Sequence, residues 1–129
     1  MKIENIKFKA KRLDNGEWII GSFVVMKIPA LSKTTIGIVA SGGATLHEID
    51  SSTVCMFTGL KDCGGKELFE NDLIHFVGHK PIGTVIWSEE NYAFMVASGN
   101  KPLYWLSDVQ EIGKIERVGN KFDRKEGEK

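Results

Sequence analysis

The sequence is poor in the features on which readily named functions depend. It has two cysteines, Cys55 and Cys63, and three prolines in 129 residues. A disulfide scaffold is excluded by so few thiols. The opening stretch Met1-Lys2-Ile3-Glu4-Asn5-Ile6-Lys7 carries no apolar export segment, so reduced thiols in a cytoplasmic setting are expected. No window approaches the roughly 18 apolar residues of a spanning helix, and no membrane partner is expected. Charge of one sign is also missing: 17 basic and 17 acidic residues balance to a net charge of +0, with a pI near 6.8. The cheap attraction that draws basic proteins to phosphate backbones is therefore absent. There is no phosphate-cradling glycine loop: Ser41-Gly42-Gly43 is followed by neither a helix nor a lysine. No segment sustains a 3.6-residue apolar period, which excludes a helical bundle.

What is present is ordinary globular material, 42% hydrophobic and 26% charged, enough for one domain or two small lobes. Ile6, Phe8 and Ala10 alternate with Lys7, Lys9 and Lys11, predicting a strand with one wet face. Asp14-Asn15-Gly16 is a hairpin signal, and Trp18–Lys27 is the return strand with Gly21 as a candidate bulge. Thr34–Ala40, Thr45–Ile49 and Thr53–Phe57 read as further strands separated by short turns. Beyond residue 72, Leu73–Val77, Ile82–Trp87, Tyr92–Ala97 and Leu103–Leu106 are strand-like, with Ser88–Asn91 as a hairpin tip. Ser107-Asp108 offers the start of a single helical turn, Val109–Ile115 reads as a closing strand, and a charged tail starts at Asp123. The expected fold is mainly β: an N-terminal β-hairpin and sheet lobe over 1–57, then an SH3-like small barrel lobe over 58–122, with a tail over 123–129.

The two lobes meet at Thr58-Gly59-Leu60-Lys61-Asp62-Cys63-Gly64-Gly65-Lys66-Glu67-Leu68-Phe69-Glu70-Asn71-Asp72-Leu73-Ile74. Turn chemistry accounts for its residues. Gly64-Gly65 lets the chain fold back, Asp62 can accept from the amides of that turn, and Asn71 tolerates the left-handed corner before Asp72. The stretch resembles the signature of the YopX family of phage and prophage proteins, approximately T-G-L-x-D-x-x-G-K-E-I-Y-E-G-D-I-V. Asn71 stands where that pattern has Gly, Met56 where Gln is common, and Lys114 where the C-terminal I-G-N-I strand has Asn. The resemblance implies a phage-type protein and supplies no biochemical activity. Gly59, Asp62, Gly64, Gly65, Asn71 and Asp72 are accordingly read as strand-junction architecture.

Three constellations could carry chemistry. Cys55, Cys63, His75 and His79 have the wrong spacing for a zinc knuckle. His47 could meet Cys55 across a hairpin, although a buried structural thiol is the plainer reading of Cys55. Glu67, Glu70 and Asp72 form an acidic cluster able to recruit a cation or serve a small enzyme; solvated or capping groups explain them equally. No cofactor or metal is assigned. The aromatics Trp87, Tyr92, Phe94, Tyr104 and Trp105 exceed what a small core needs, and Tyr92 and Trp105 are the candidate interface residues. The expected function is a non-enzymatic, self-associating interaction module with an unidentified macromolecular partner. Homo-oligomerisation is motivated by Thr34–Val39, a poor candidate for an open edge, together with the aromatic surplus near Trp105. The alternative is a nucleic-acid-binding barrel using Lys7, Lys9, Lys11 and Arg12 as a basic edge; the third is the acidic-cluster enzyme.

Overall fold

A computed structural model describes residues 2–76, 83–99, 101–112 and 114–123. The chain divides into two compact units, Met1–Phe57 and Thr58–Lys129. In the first, β1 (Phe8–Lys11), β2 (Trp18–Ile28), β3 (Lys33–Ala40) and β4 (Leu46–Glu48) precede β5 (Cys55–Lys61), which carries the chain past Phe57. The second holds β6 (Glu67–Phe69), β7 (Asp72–Phe76), β8 (Gly83–Ser88), β9 (Ala93–Ser98), β10 (Lys101–Trp105), the helix α1 (Leu106–Ile112) and β11 (Ile115–Asn120). The strand orders are β4-β3-β2-β1-β5-β6 and β10-β9-β8-β7-β11, and every registered pair is antiparallel. The mainly β expectation holds. The second sheet has two ends and forms no closed barrel among the described residues, so the SH3-like closure is not found.

In the first unit, Ala10, Ile19, Ile38 and Ile49 form the core, with Phe8, Ile36, Ala40 and Val54 packed against it. Period two identified which side chains share a face, but not which face is wet. Lys9 is only 5% exposed, its ammonium 4.7 Å from the centre of the Trp18 ring. Lys11 also approaches that ring, at 5.6 Å, and Lys7 lies 4.7 Å from the centre of Phe57. These cation–π contacts let apolar stems cover the sheet while the charges face rings. Ile6, expected inward, is exposed. The expected basic edge is no edge: β1 sits between β2 and β5. Thr34–Val39 is covered only in part: β2 pairs along its whole length on one side, while on the other β4 pairs with Gly37–Val39 and Ile36 O accepts from Ile49 N, with no strand registered beside Thr34 and Thr35 among the described residues.

The first hairpin forms, with Arg12 N donating to Glu17 O at 2.9 Å and Gly16 N to Arg12 O at 2.9 Å. Only Gly16 of the Asn-Gly pair has positive φ, +71°. The connection is thus a longer turn, without the two left-handed residues of a two-residue hairpin. Gly21 is no bulge: it continues the register opposite both Phe8 and Ala40. Its lack of a side chain is required by a close approach, since a Cβ there would fall 2.0 Å from Val39 O.

In the second unit, Leu68, Ile74, Val85, Val96, Leu106, Val109 and Ile115 are the core, with Leu60 and Phe94 packed against it. The hairpin about Ser88–Asn91 forms and places Trp87 opposite Phe94, ring centres 5.1 Å apart and edge-on. Tyr92, expected to open the strand Tyr92–Ala97, is not part of β9. It lies in the turn with φ 51° and is 77% exposed. The region read as a strand from Val109 is helical as far as Ile112. Leu106 and Val109 bury one helical stripe while Ser107, Asp108, Gln110 and Glu111 stay exposed, a period too brief to be legible in seven residues. Asp123 is anchored, accepting from Asn120 N at 2.9 Å through Oδ2, so the chain does not fray there; 124–129, Val77, His79, Pro81 and Ile82 lie outside the described residues.

Gly21→Ala should destabilise the protein by about 2 kcal/mol, because a backbone carbonyl cannot yield to the added methyl as a side chain could. Chemical denaturation followed by circular dichroism measures this, and Gly43→Ala, whose nearest contact would be an ordinary 3.4 Å, is the control expected to lose much less.

Candidate functional site

The joint is a set of turns held by two carboxylates. Thr58 Oγ1 donates to Leu68 O at 2.8 Å and accepts from Leu60 N at 3.2 Å, fixing the β5 side to the β6 side. Gly59 follows with φ +87°. Asp62 then closes the next turn: its N donates to Lys66 O at 2.8 Å, and its O accepts from Gly65 N at 3.1 Å. Gly65 has φ +84°, a backbone that any Cβ would strain. Gly64 does not share that conformation, and a Cβ there would make an ordinary 3.5 Å contact with Asp62 Oδ1. The left-handed requirement in the Gly-Gly pair therefore belongs to Gly65 alone.

The Asp62 side chain is 7% exposed and fully engaged. Oδ1 accepts from Gly64 N at 2.9 Å and Lys66 N at 2.8 Å, while Oδ2 accepts from Arg117 N at 2.9 Å, 55 residues on. Burial alone would push this carboxyl up. The amides of Arg117, Lys66 and Gly64, with the Lys66 charge, outweigh burial and hold it below the ordinary aspartate range. The neighbouring Cys63 N donates to Ile115 O at 2.9 Å, so the turn grips β11 twice.

Asp72 grips the same strand from the other side. Leu68 and Phe69 are buried, and the chain reverses at Glu70-Asn71 with Asn71 at φ 70°, the left-handed corner expected of it. Asn71 N donates to Val85 O at 2.7 Å, and Asn71 O accepts from Lys121 N at 2.8 Å. The Asp72 side chain is 0% exposed. Its Oδ2 accepts from Phe69 N at 2.7 Å and lies 3.1 Å from Arg117 Nε, in a contact that is an ion pair and not an aligned hydrogen bond. Its Oδ1 accepts from Asn120 Nδ2 at 2.8 Å. Asn120 in turn reaches Glu70 O at 3.4 Å and accepts from Phe122 N at 2.9 Å. Arg117 and Asn120 were not singled out in the sequence. They lie beyond the closing strand read over Val109–Ile115, whereas the strand that forms is Ile115–Asn120, where a buried Asn needs a partner.

The acidic cluster is thus divided by role. Asp72 is an internal ligand of the backbone and of Asn120, while Glu67 and Glu70 lie half-buried on β6 and in the corner. Among the described residues no group of three or more His, Cys, Asp or Glu is placed to hold a metal. Both cysteines are free. Cys55 is buried and donates through Sγ to Thr53 O at 3.2 Å, and Cys63 is exposed. The His47–Cys55 meeting does not occur: β4 and β5 are separated in the sheet by β3, β2 and β1. Ser41-Gly42-Gly43 is a turn leading to a strand, with Gly43 N donating to Ala40 O at 2.9 Å. A hollow of about 310 Å³ beside the Asp62 turn is lined in part by Lys61, Cys63, Glu111 and Lys114.

The candidate interface residues Tyr92 and Trp105 fall at the same end of the second sheet. Trp105 is opposite Met95, and Tyr92 occupies the turn that leads into β9, three residues before Met95. Trp87 belongs to the same end but to the other face of the sheet from Trp105, since their partners Phe94 and Met95 are consecutive in β9. Tyr92, Tyr104, Trp105 and Trp87 are 77%, 56%, 42% and 39% exposed. No helix among the described residues is long and apolar enough to cross a membrane.

These features define an all-β protein of two antiparallel sheets whose interior carboxylates tie a signature turn to the closing strand. The YopX protein family matches residues 7–126, and the chain belongs to that family. No curated protein matches the chain.

The lowered pKa of Asp62 has a consequence for acid stability. Its contribution is fully present above about pH 5 and is lost as the pH falls through the folded-state pKa, below the usual value of about 3.9. Asp62→Asn should therefore be less stable than wild type near neutrality, with the gap narrowing on acidification. Urea midpoints measured from pH 7 to pH 3 check this, and a gap that widens in acid contradicts it.

Proposed function

We propose that this chain is a non-enzymatic interaction protein of the phage and prophage type, acting in the cytoplasm. It assembles with itself, and it uses the aromatic end of the second sheet to bind another protein. The observation that carries this reading is the exposure of Trp87, Tyr92, Tyr104 and Trp105 at one end of β8, β9 and β10, outside the core of their unit. Aromatic side chains supply large contact area at small entropic cost and are enriched at protein interfaces. The β8–β9 turn adds exposed Glu89 and Glu90 beside Tyr92. That charge favours a partner with a basic rim and disfavours a phosphate backbone.

The polar groups support the same reading. Asp62 and Asp72 accept bonds from the chain itself, Cys55 is closed in, and Lys7, Lys9 and Lys11 lie against aromatic rings. Light scattering at micromolar concentration should give a mass above that of one chain; a monomer at every concentration removes self-association. Tyr92→Asp combined with Trp105→Ala should abolish capture of a host protein that the tagged wild type retains, and equal capture removes the aromatic surface from the reading.

A further inference from the structure

Strand β2 outruns its neighbour on one side. β1 pairs only with Trp18–Gly21, whereas β3 runs alongside from Gly21 to Ile28. From Ser22 to Ile28, one edge of β2 has no neighbouring strand among the described residues. The direction of its backbone groups follows from alternation in an antiparallel ladder. Ser41 N donates to Ile20 O at 3.3 Å, so Ile20 and the even-numbered residues after it turn toward β3. Arg12 N donates to Glu17 O at 2.9 Å, so odd-numbered residues turn the other way. Ile36 confirms the phase: its O accepts from Ile49 N on the β4 side, leaving Val25 opposite it without a bond across that pair. The N–H and C=O groups of Phe23, Val25 and Lys27 therefore face the open edge.

This edge lacks the devices that protect others. The register across Ser22–Ile28 is unbroken, the segment has no proline, and Lys27 is its one charge. Phe23, Val25 and Met26 are 36%, 50% and 44% exposed. The outer strand β10, by contrast, carries Lys101, Pro102 and a register shift between Pro102 and Tyr104. A two-stranded ribbon with apolar residues on both faces is marginal in water by itself.

We infer that this edge pairs with the same edge of a second copy, antiparallel about a two-fold axis through Val25. The inference rests on the self-association reading and names its surface. In that register Val25 meets the partner's Val25, and Phe23 meets the partner's Lys27. All three outward-facing residues on each strand then exchange backbone bonds, and no like charges oppose. A shift by one residue sets bonded groups against unbonded ones, and a shift by two leaves an outward residue without an opposite. Lysine against an aromatic ring on an adjacent strand is a pairing the sheet already uses, with Lys11 over Trp18 and Lys7 over Phe57. The resulting contact is isologous and closes as a dimer, with strand addition supplying the main-chain bonds.

The test places a thiol on the axis in the full chain, with Cys63→Ser removing the exposed cysteine. Facing residues of a bonded antiparallel pair lie about 5.5 Å apart at Cα, within disulfide range. Val25→Cys should convert almost wholly to a disulfide-linked dimer with oxidised glutathione, and Lys33→Cys, on the other strand of the ribbon, should not. Val25→Pro removes an N–H that has no ribbon partner, a change an edge strand accommodates. It should lower the light-scattering mass from dimer to monomer with an unchanged circular dichroism spectrum. A wild-type monomer would defeat the self-association reading itself. A dimeric wild type whose Val25→Pro variant stays dimeric, with Val25→Cys linking no better than Lys33→Cys, would overturn the β2 pairing alone.

Discussion

A carboxylate with no access to water, that of Asp72, is the constraint around which the second unit is arranged. A buried anion is costly unless its oxygens are bonded and its charge is answered. Here Phe69 N and Asn120 Nδ2 bond the two oxygens, and the Arg117 guanidinium stands 3.1 Å away. Those three partners come from the corner just before it and from β11, which joins the beginning and end of the unit. Asp62 repeats the device one turn earlier by accepting from Arg117 N. Arg117 is thus held twice, by its backbone and by its side chain. The family signature reads physically as a clamp: two turns, two aspartates and one closing strand.

The first unit solves a different problem. Its sheet places lysine on an interior strand, and stability there depends on the stems lying against Trp18 and Phe57 with the charges over the rings. The same use of aromatics against lysine explains why a chain with this many basic residues on one strand presents no basic stripe. Among the exposed apolar side chains, those on strands include the far half of β2 in this unit and, in the second unit, the aromatic end of β8, β9 and β10. Both are on extended strands, the element best suited to contacts between proteins.

Local signals in the sequence were legible where the cause was local. The Asn15-Gly16 hairpin, the Trp87–Phe94 pairing and the left-handed Asn71 each follow from a few adjacent residues, and each is present. The junction turn was legible as architecture because Asp62, Gly65 and Asn71 have the backbone tolerances and bonding reach that such turns require. What failed depended on distant segments. Lys9 looked wet because alternation cannot say that both faces of β1 will be covered. The barrel was inferred from strand count, yet closure depends on which edges meet, and β10 and β11 remain at opposite ends of their sheet. The α1 stripe rests on Leu106 and Val109 alone. Asp72 was grouped with Glu67 and Glu70 by sequence proximity, while the partner that defines its role, Asn120, lies 48 residues away.

The claim that the signature is a clamp can be put to a double-mutant cycle in urea denaturation, with wild type, Asp72→Ala, Asn120→Ala and the double variant. If the buried Asp72–Asn120 contact ties β7 to β11 as described, the two losses should be coupled by about 1–2 kcal/mol, the double variant losing less than the sum. Losses that add to within about 0.3 kcal/mol would mean that the two residues act independently and that the clamp does not hold the closing strand.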